Sequence, residues 1–361
     1  MKNIWHYKEY FTGIQDQCMI SIGEGHTPLI RSRNIGPSLG LRNLYFKLEN
    51  LNPTGSYKDR FAALFTSKLL EKKAPFCIAT SSGNTGAALA AYCAASGIKC
   101  FLVVVDDAPL SKIQQMQLYG GKIIMVEGFG IQSAITSGVF KQLKELTNER
   151  NISLPISAYC YCPDGMQGVQ TIAWEILDDL NGIVQHIFSP SGGGGLTLAI
   201  AKGVQLHKKY KPGCKVHCVQ PSGNNTIAGA LRNGLSYAVE IAASTTTVSG
   251  LQVPGVLDGT ETIQNCRALG GTGYIVEDEV IFKYQALLAT QEGIFCEAAA
   301  AASVSALESA IQNKEVKAED NIVCLITGSG FKDMSKTKEL FQLSPVSKYS
   351  IDHLSNFLAT L

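Results

Sequence analysis

The feature that most constrains this chain is a repeated alternation of short apolar runs with longer helical stretches, joined by turns rich in glycine and hydroxyl residues. Runs that read as buried strands are Asn43–Leu48, Phe76–Thr80, Lys99–Val105, Lys122–Val126, Val184–Phe188, Lys215–Gln220, Gly273–Val276 and Ile322–Thr327. Several are rich in Val and Ile without a clean in-out alternation, as parallel strands covered on both faces should be. Helical spacing runs through Lys58–Glu71, Thr85–Ser96, Ser111–Tyr119, Gly168–Leu180, Asp278–Gln291 and Glu297–Ile311. Strand followed by helix, again and again, predicts an open, mainly parallel α/β architecture. At 361 residues the chain exceeds what one core usually serves, so two such domains are expected. Ser222–Thr272, the least periodic segment, reads as active-site loops.

Hydrophobic residues make up 45% of the chain and charged residues 17%, an ordinary globular balance. The formal net charge of +1 gives no general attraction to nucleic acid or to an anionic membrane. Any anion bound here must therefore be held by local geometry. No stretch approaches the roughly 18 apolar residues of a membrane span. Met1–Tyr10 lacks the apolar centre of a signal peptide, so a cytoplasmic location is the default expectation. Of the eleven cysteines, Cys77, Cys100 and Cys324 lie inside apolar runs and read as small buried hydrophobes. Cys160 with Cys162, and Cys214 with Cys218, lack the spacing of a zinc site, and no metal is expected.

In open parallel sheets ligands sit at the carboxyl ends of strands, beside the helix that follows. Four turns have that position. Asn52-Pro53-Thr54-Gly55-Ser56-Tyr57-Lys58-Asp59-Arg60 leads into a helix. A lysine at a helix start meets the positive end of the macrodipole. That position, with burial, favours the neutral amine, the form that attacks an aldehyde. Ser81-Ser82-Gly83-Asn84-Thr85-Gly86 offers hydroxyls and N–H groups at a helix start, suited to an anion and equally to capping by Ser82 or Asn84. Ser191-Gly192-Gly193-Gly194-Gly195 places four glycines in succession, each costing roughly 1 kcal/mol of conformational freedom against alanine. Such a run suits a backbone wrapped round a phosphate. Ile326-Thr327-Gly328-Ser329-Gly330-Phe331-Lys332-Asp333 sets a hydroxyl at a strand end, where it can meet a ring nitrogen or simply close a turn.

Together and in this order, these turns resemble the fold-type II pyridoxal-phosphate enzymes, and most closely the threonine synthases. Glu24-Gly25-His26-Thr27-Pro28-Leu29 is similar to that family's N-terminal motif, and Asn52–Arg60 to its cofactor-lysine motif, with Tyr57 where phenylalanine is usual. Ser82-Gly83-Asn84-Thr85 resembles its asparagine loop. Gly293-Ile294-Phe295-Cys296-Glu297 with Ala300-Ala301-Ala302-Ser303 resembles its late helix, and Thr327–Asp333 its C-terminal turn. The resemblance implies pyridoxal 5'-phosphate held as a Schiff base on Lys58, with Asn84 on its phenolic oxygen, Gly192, Gly193, Gly194 and Gly195 on its phosphate, and Thr327 at its ring nitrogen. Ser81, Ser82 and Thr85 would receive the carboxylate of an amino-acid substrate. It also implies a homodimer, a cofactor-binding domain of residues 1–55 and 160–361, a smaller mobile domain of 56–159, and an active site in the cleft between them.

The chain departs from that pattern at three places. Ser329 stands where threonine synthases usually carry histidine, and no arginine occurs between Arg150 and Arg232, where the family places one on the substrate phosphate. The all-glycine loop is more like that of serine and threonine dehydratases. Lys112 is the candidate for the missing cation. The expected activities are therefore a threonine-synthase-type reaction on O-phosphohomoserine and water, or β-replacement on O-phosphoserine as in cysteate synthase, or dehydration of serine or threonine. A silent cofactor-binding regulator is the alternative outside enzymes.

Overall fold

The structure, a computed structural model, describes residues 2–11, 13–106, 110–209, 212–334, 348 and 350–359, with the backbone alone at 110–112, 352 and 355. Along the chain run β1 (Leu29–Arg31), α1 (Ile35–Ser38), β2 (Asn43–Lys47), α2 (Lys58–Glu71), β3 (Phe76–Thr80), α3 (Asn84–Ser96) and β4 (Lys99–Val104). Next come α4 (Leu110–Leu118), β5 (Lys122–Met125), α5 (Ser133–Glu149), α6 (Pro163–Asp179), β6 (His186–Pro190), α7 (Gly195–Leu206), β7 (Lys215–Pro221) and α8 (Ala228–Arg232). The rest are α9 (Gly259–Ala268), β8 (Gly273–Val276), α10 (Asp278–Glu292), α11 (Ala298–Ser305), α12 (Leu307–Gln312), β9 (Asn321–Leu325) and α13 (Ile351–Leu358). None of the described helices is long and apolar enough to cross a membrane.

The strands form two sheets. Six pair in the order β1-β2-β9-β6-β7-β8, all parallel except β1 against β2. Three pair in parallel as β3-β4-β5. In the larger sheet β6 and β7 run outward from β9 in one direction, and β2 and β1 in the other. The carboxyl ends of β9 and β6 therefore flank the point where strand order reverses, which is where open sheets bind ligands. One large core joins α2, α3, α6 and α7 to both sheets, and a second packs α10 and α11 on the opposite face of β2 and β9.

The eight expected strands are present, with ends moved by no more than two residues. The additions are elements whose spacing is too short or too polar to stand out, such as the three-residue β1 and the solvent-facing α5. The helix expected over Glu297–Ile311 is two helices that meet at Ala306. The helix expected from Gly168 begins five residues earlier, at Pro163, a residue suited to a first turn because its missing N–H has no partner there anyway. The sulfurs of Cys77, Cys93 and Cys100, from β3, α3 and β4, meet within 4.8 Å of one another in the core.

Beneath the start of α2 lies a wholly buried ion network. Arg60 pairs with Glu49 at 2.7 Å and with Glu175 on α6, while Lys47 on β2 reaches Glu175 at 2.8 Å. Asn52 donates to Glu49 and accepts from Gly25 N, which ties the N-terminal motif to the turn before Lys58. Two cations and two carboxylates thus brace the helix start where the candidate chemistry sits.

Candidate active site

A cavity of about 560 Å³ opens where the two sheets' turns meet. Its wall brings together Lys58, the Ser81–Thr85 loop, the Gly192–Gly195 loop and Thr327, residues up to 269 positions apart in sequence. Ser249, Gly250, Leu251, Gln252, Val253 and Leu257, from the segment read as active-site loops, complete it. Lys112 belongs to α4, but its side chain lies outside the described residues.

Lys58 is the first residue of α2, and the turn before it is fixed from below. The Asp59 carboxylate accepts from Thr54 N at 3.0 Å and from Thr54 Oγ1 at 2.7 Å. Burial pushes that carboxyl up to about 7 even though Thr54 opposes the shift. The Lys58 amine donates to Tyr57 Oη at 2.6 Å and to Ser157 Oγ. Burial pushes the amine down to about 8, and the Glu297 carboxylate partly offsets that effect. At neutral pH such an amine is about one-tenth free base, roughly a few hundred times more than an ordinary lysine, which is the direction the helix-start argument requires.

In the asparagine loop the capping hydroxyl is Ser81, which accepts from Gly83 N at 3.3 Å and Gly86 N at 3.1 Å. Neither Ser82 nor Asn84, the residues expected to cap, has to do so. Asn84 Nδ2 instead donates to Glu297 Oε2 at 3.0 Å, and Thr327 Oγ1 donates to Glu297 Oε1 at the same distance. Glu297, just ahead of α11, is the polar centre that sequence reasoning missed. Its motif was visible, but nothing in the spacing shows that its carboxylate joins two distant turns. A Cβ at Gly328 would lie 2.5 Å from that carboxylate, so only glycine leaves room for it.

The tetraglycine turn ends in Gly194, with φ +99°, and passes directly into α7. A Cβ there would approach Thr262 Oγ1 to 2.6 Å, and one at Gly193 would approach Leu257 to 2.9 Å. Leu198 N finds the Gly194 carbonyl at 2.9 Å, while the N–H groups of the first turn have no helical partner. Buried Ser191 Oγ, beside the loop, has no hydrogen-bond partner among the described residues. A helix N-terminus wrapped in glycine, with orphan donors beside it, fits a phosphate. A buried amine, a carboxamide and a threonine hydroxyl line the same cavity, and this set suits pyridoxal phosphate.

Comparison with known proteins gives the same class. Pyridoxal-phosphate dependent enzymes match residues 20–328 as a family. The chain is 32% identical over 335 residues to the threonine synthase of Methanocaldococcus jannaschii, covering 91% of this chain and 80% of that one. It is 29% identical over 342 residues to the threonine synthase of Halalkalibacterium halodurans, covering 94% and 92%. Its fold is similar to that of a fungal L-serine ammonia-lyase from Rhizomucor miehei, with TM-score 0.74, 21% identity and coverage of 88% and 98%. The chain belongs to the pyridoxal-phosphate dependent enzyme family. Within that family its relatives by sequence include threonine synthases, and its cofactor is pyridoxal phosphate.

The Lys58 amine allows a direct check. Protein stripped of cofactor should take it up again at a rate that rises with pH and levels off above about 8. Each unit below that midpoint should slow uptake about tenfold, because only the neutral amine attacks. Stopped-flow absorbance of the reloading step measures this. A rate indifferent to pH between 6 and 9 would separate uptake from Lys58.

Proposed function

We propose that this enzyme carries out a threonine-synthase-type elimination and replacement, converting O-phosphohomoserine and water into threonine and phosphate. The observation that carries the reading is the meeting of Lys58, Asn84, the tetraglycine turn and Thr327 in one cavity of a chain whose relatives are threonine synthases. Bound pyridoxal phosphate supplies the electron sink for deprotonation next to the amino group. The chain's own residues do the rest. Lys58 holds the cofactor covalently and, once released from it, moves protons at the substrate carbons. Gly192–Gly195 hold the cofactor phosphate, Asn84 its phenolic oxygen, and Thr327 faces its ring nitrogen. Ser81, Ser82 and Thr85 receive the substrate carboxylate. Residues 56–159 move as the smaller domain and close over the substrate, excluding water from reactive intermediates. The enzyme works as a homodimer.

One observation favours a second reading. Among the described residues that line the cavity, Lys58 is the only cation. A phosphorylated four-carbon substrate would draw on Lys112, or on Lys332 in an adjoining hollow of about 390 Å³ that shares Gly83 and Asn84 with the cavity. Dehydration, or β-replacement on serine, brings no substrate phosphate to that wall, whereas O-phosphoserine, which shares their chemistry, asks of it the same cation. The test is to offer O-phosphohomoserine and O-phosphoserine separately, measure phosphate and identify the amino acid formed. Threonine and phosphate from O-phosphohomoserine are expected. Phosphate from O-phosphoserine alone would replace this reading with the second.

A further inference from the structure

At position 57 the side chain just before Lys58 carries a hydroxyl. Tyr57 is tightly held. Its backbone N–H donates to Thr327 O at 3.0 Å, and its ring packs partly buried against the large core. Its hydroxyl accepts from Lys58 Nζ at 2.6 Å, while Ser157 Oγ accepts from the same amine. Burial, aided by the Glu297 carboxylate, holds the phenol well above its ordinary range, so it stays a neutral hydroxyl. The charged group acting on the amine is that same Glu297, just ahead of α11.

A neutral hydroxyl at this distance meets the amine in two ways. It accepts from the ammonium, or it offers its own hydrogen to the free amine. Hydrogen bonds with an ionised partner are roughly twice as strong as neutral ones. The balance therefore favours the proton-bearing amine, against the burial that opposes it. Phenylalanine would leave the ammonium with one hydroxyl acceptor fewer in a partly dry cavity.

We propose that Tyr57 is a positioning residue: its hydroxyl holds the Lys58 amine beside Ser157 and supports that amine when it takes up the substrate's Cα proton. In that step the Cα–H bond breaks and its electron pair stays with the substrate. A new N–H bond forms on Lys58, and the resulting ammonium donates to Tyr57 and Ser157. No proton passes to the phenol. The inference rests on Lys58 being the reacting amine of the proposed function.

The experiment is competitive labelling of cofactor-free protein with trace acetic anhydride across a pH series, with the Lys58 peptide quantified by mass spectrometry. Tyr57→Phe should move the Lys58 midpoint down from about 8 by roughly one unit, about tenfold in proton affinity. Tyr57→Met, which also lacks the hydroxyl but fills space flexibly, should give the same fall. In the loaded enzyme, kcat should drop several-fold with KM unchanged. A midpoint that stays or rises in either folded variant, checked by near-ultraviolet circular dichroism, overturns the proposal. Failure of the underlying reading is distinguishable, because borohydride would then fix the cofactor on another peptide while the labelling result stood.

Discussion

Lys58→Ala is expected to abolish turnover while leaving the fold at least as stable as before. The substitution removes the group proposed both to anchor the cofactor covalently and to move protons. Loss of a positioned acid–base group alone costs about 10²–10⁴ in rate. Stability should behave in the opposite way. Lys58 opens α2, where the macrodipole disfavours a cation and where burial already pushes its amine down to about 8. Alanine is the best helix former and carries no charge to desolvate. The thermal midpoint of the variant should therefore match or exceed that of the cofactor-free parent. Borohydride reduction followed by peptide mapping should place the cofactor on the Lys58 peptide in the parent and on no peptide of the variant. Normal turnover by a folded Lys58→Ala protein would remove the amine from the centre of the chemistry.

The sequence reveals most of this site because its parts are local. A glycine run, a lysine at a helix start and a hydroxyl after a strand each express a constraint that acts within a few residues. Each therefore shows in the spelling of the turn. The eight strands were legible for a similar reason, since a strand buried on both faces must be apolar throughout. What stayed hidden depends on approach across long sequence separations. Glu297 joins Asn84, which is 213 residues away, to Thr327, and no pattern around Cys-Glu-Ala-Ala specifies that contact. Ser157, against Lys58, lies in a stretch with no periodicity of its own. Ser81 took the capping role expected of Ser82 or Asn84, because the choice among neighbouring hydroxyl and amide groups depends on backbone angles rather than on residue type. The buried ions Lys47, Glu49 and Glu175 look like ordinary strand-end and helix-face charges until β2 and α6 close over Arg60.

That network gives the largest expected effect on stability. Glu175 accepts from Arg60 Nη2 at 2.8 Å, pairs with Lys47 at 2.8 Å and accepts from His26 N at 2.7 Å, with its side chain only 1% exposed. Glu175→Ala would leave Arg60 paired with Glu49, and Lys47 with Asp179 alone at 3.6 Å among the described residues, a carboxylate partly open to solvent, while both cations stay fully buried. Removing one partner of a buried pair strands the other charge and costs about 3–5 kcal/mol. A domain is typically stable by about 5–15 kcal/mol, so the urea midpoint should fall sharply at an unchanged slope. Glu175→Gln, which keeps the shape and an acceptor for His26 N but not the charge, should fall less. Because Arg60 lies two residues after Lys58, both variants should also bind pyridoxal phosphate more weakly. The pH dependence is a second check. Burial alone would raise the Glu175 carboxyl, but Arg60 and Lys47 outweigh it and hold the group at about 2. A carboxyl depressed in the folded state contributes stability above its unfolded value, near 4.5, and loses it as pH falls towards 2. The gap between parent and Glu175→Ala should hold steady from pH 5 to 8 and narrow below about 4.5. A variant within 1 kcal/mol of the parent at pH 7 would show that solvent already reaches Arg60, and that the brace under Lys58 is not made of charge.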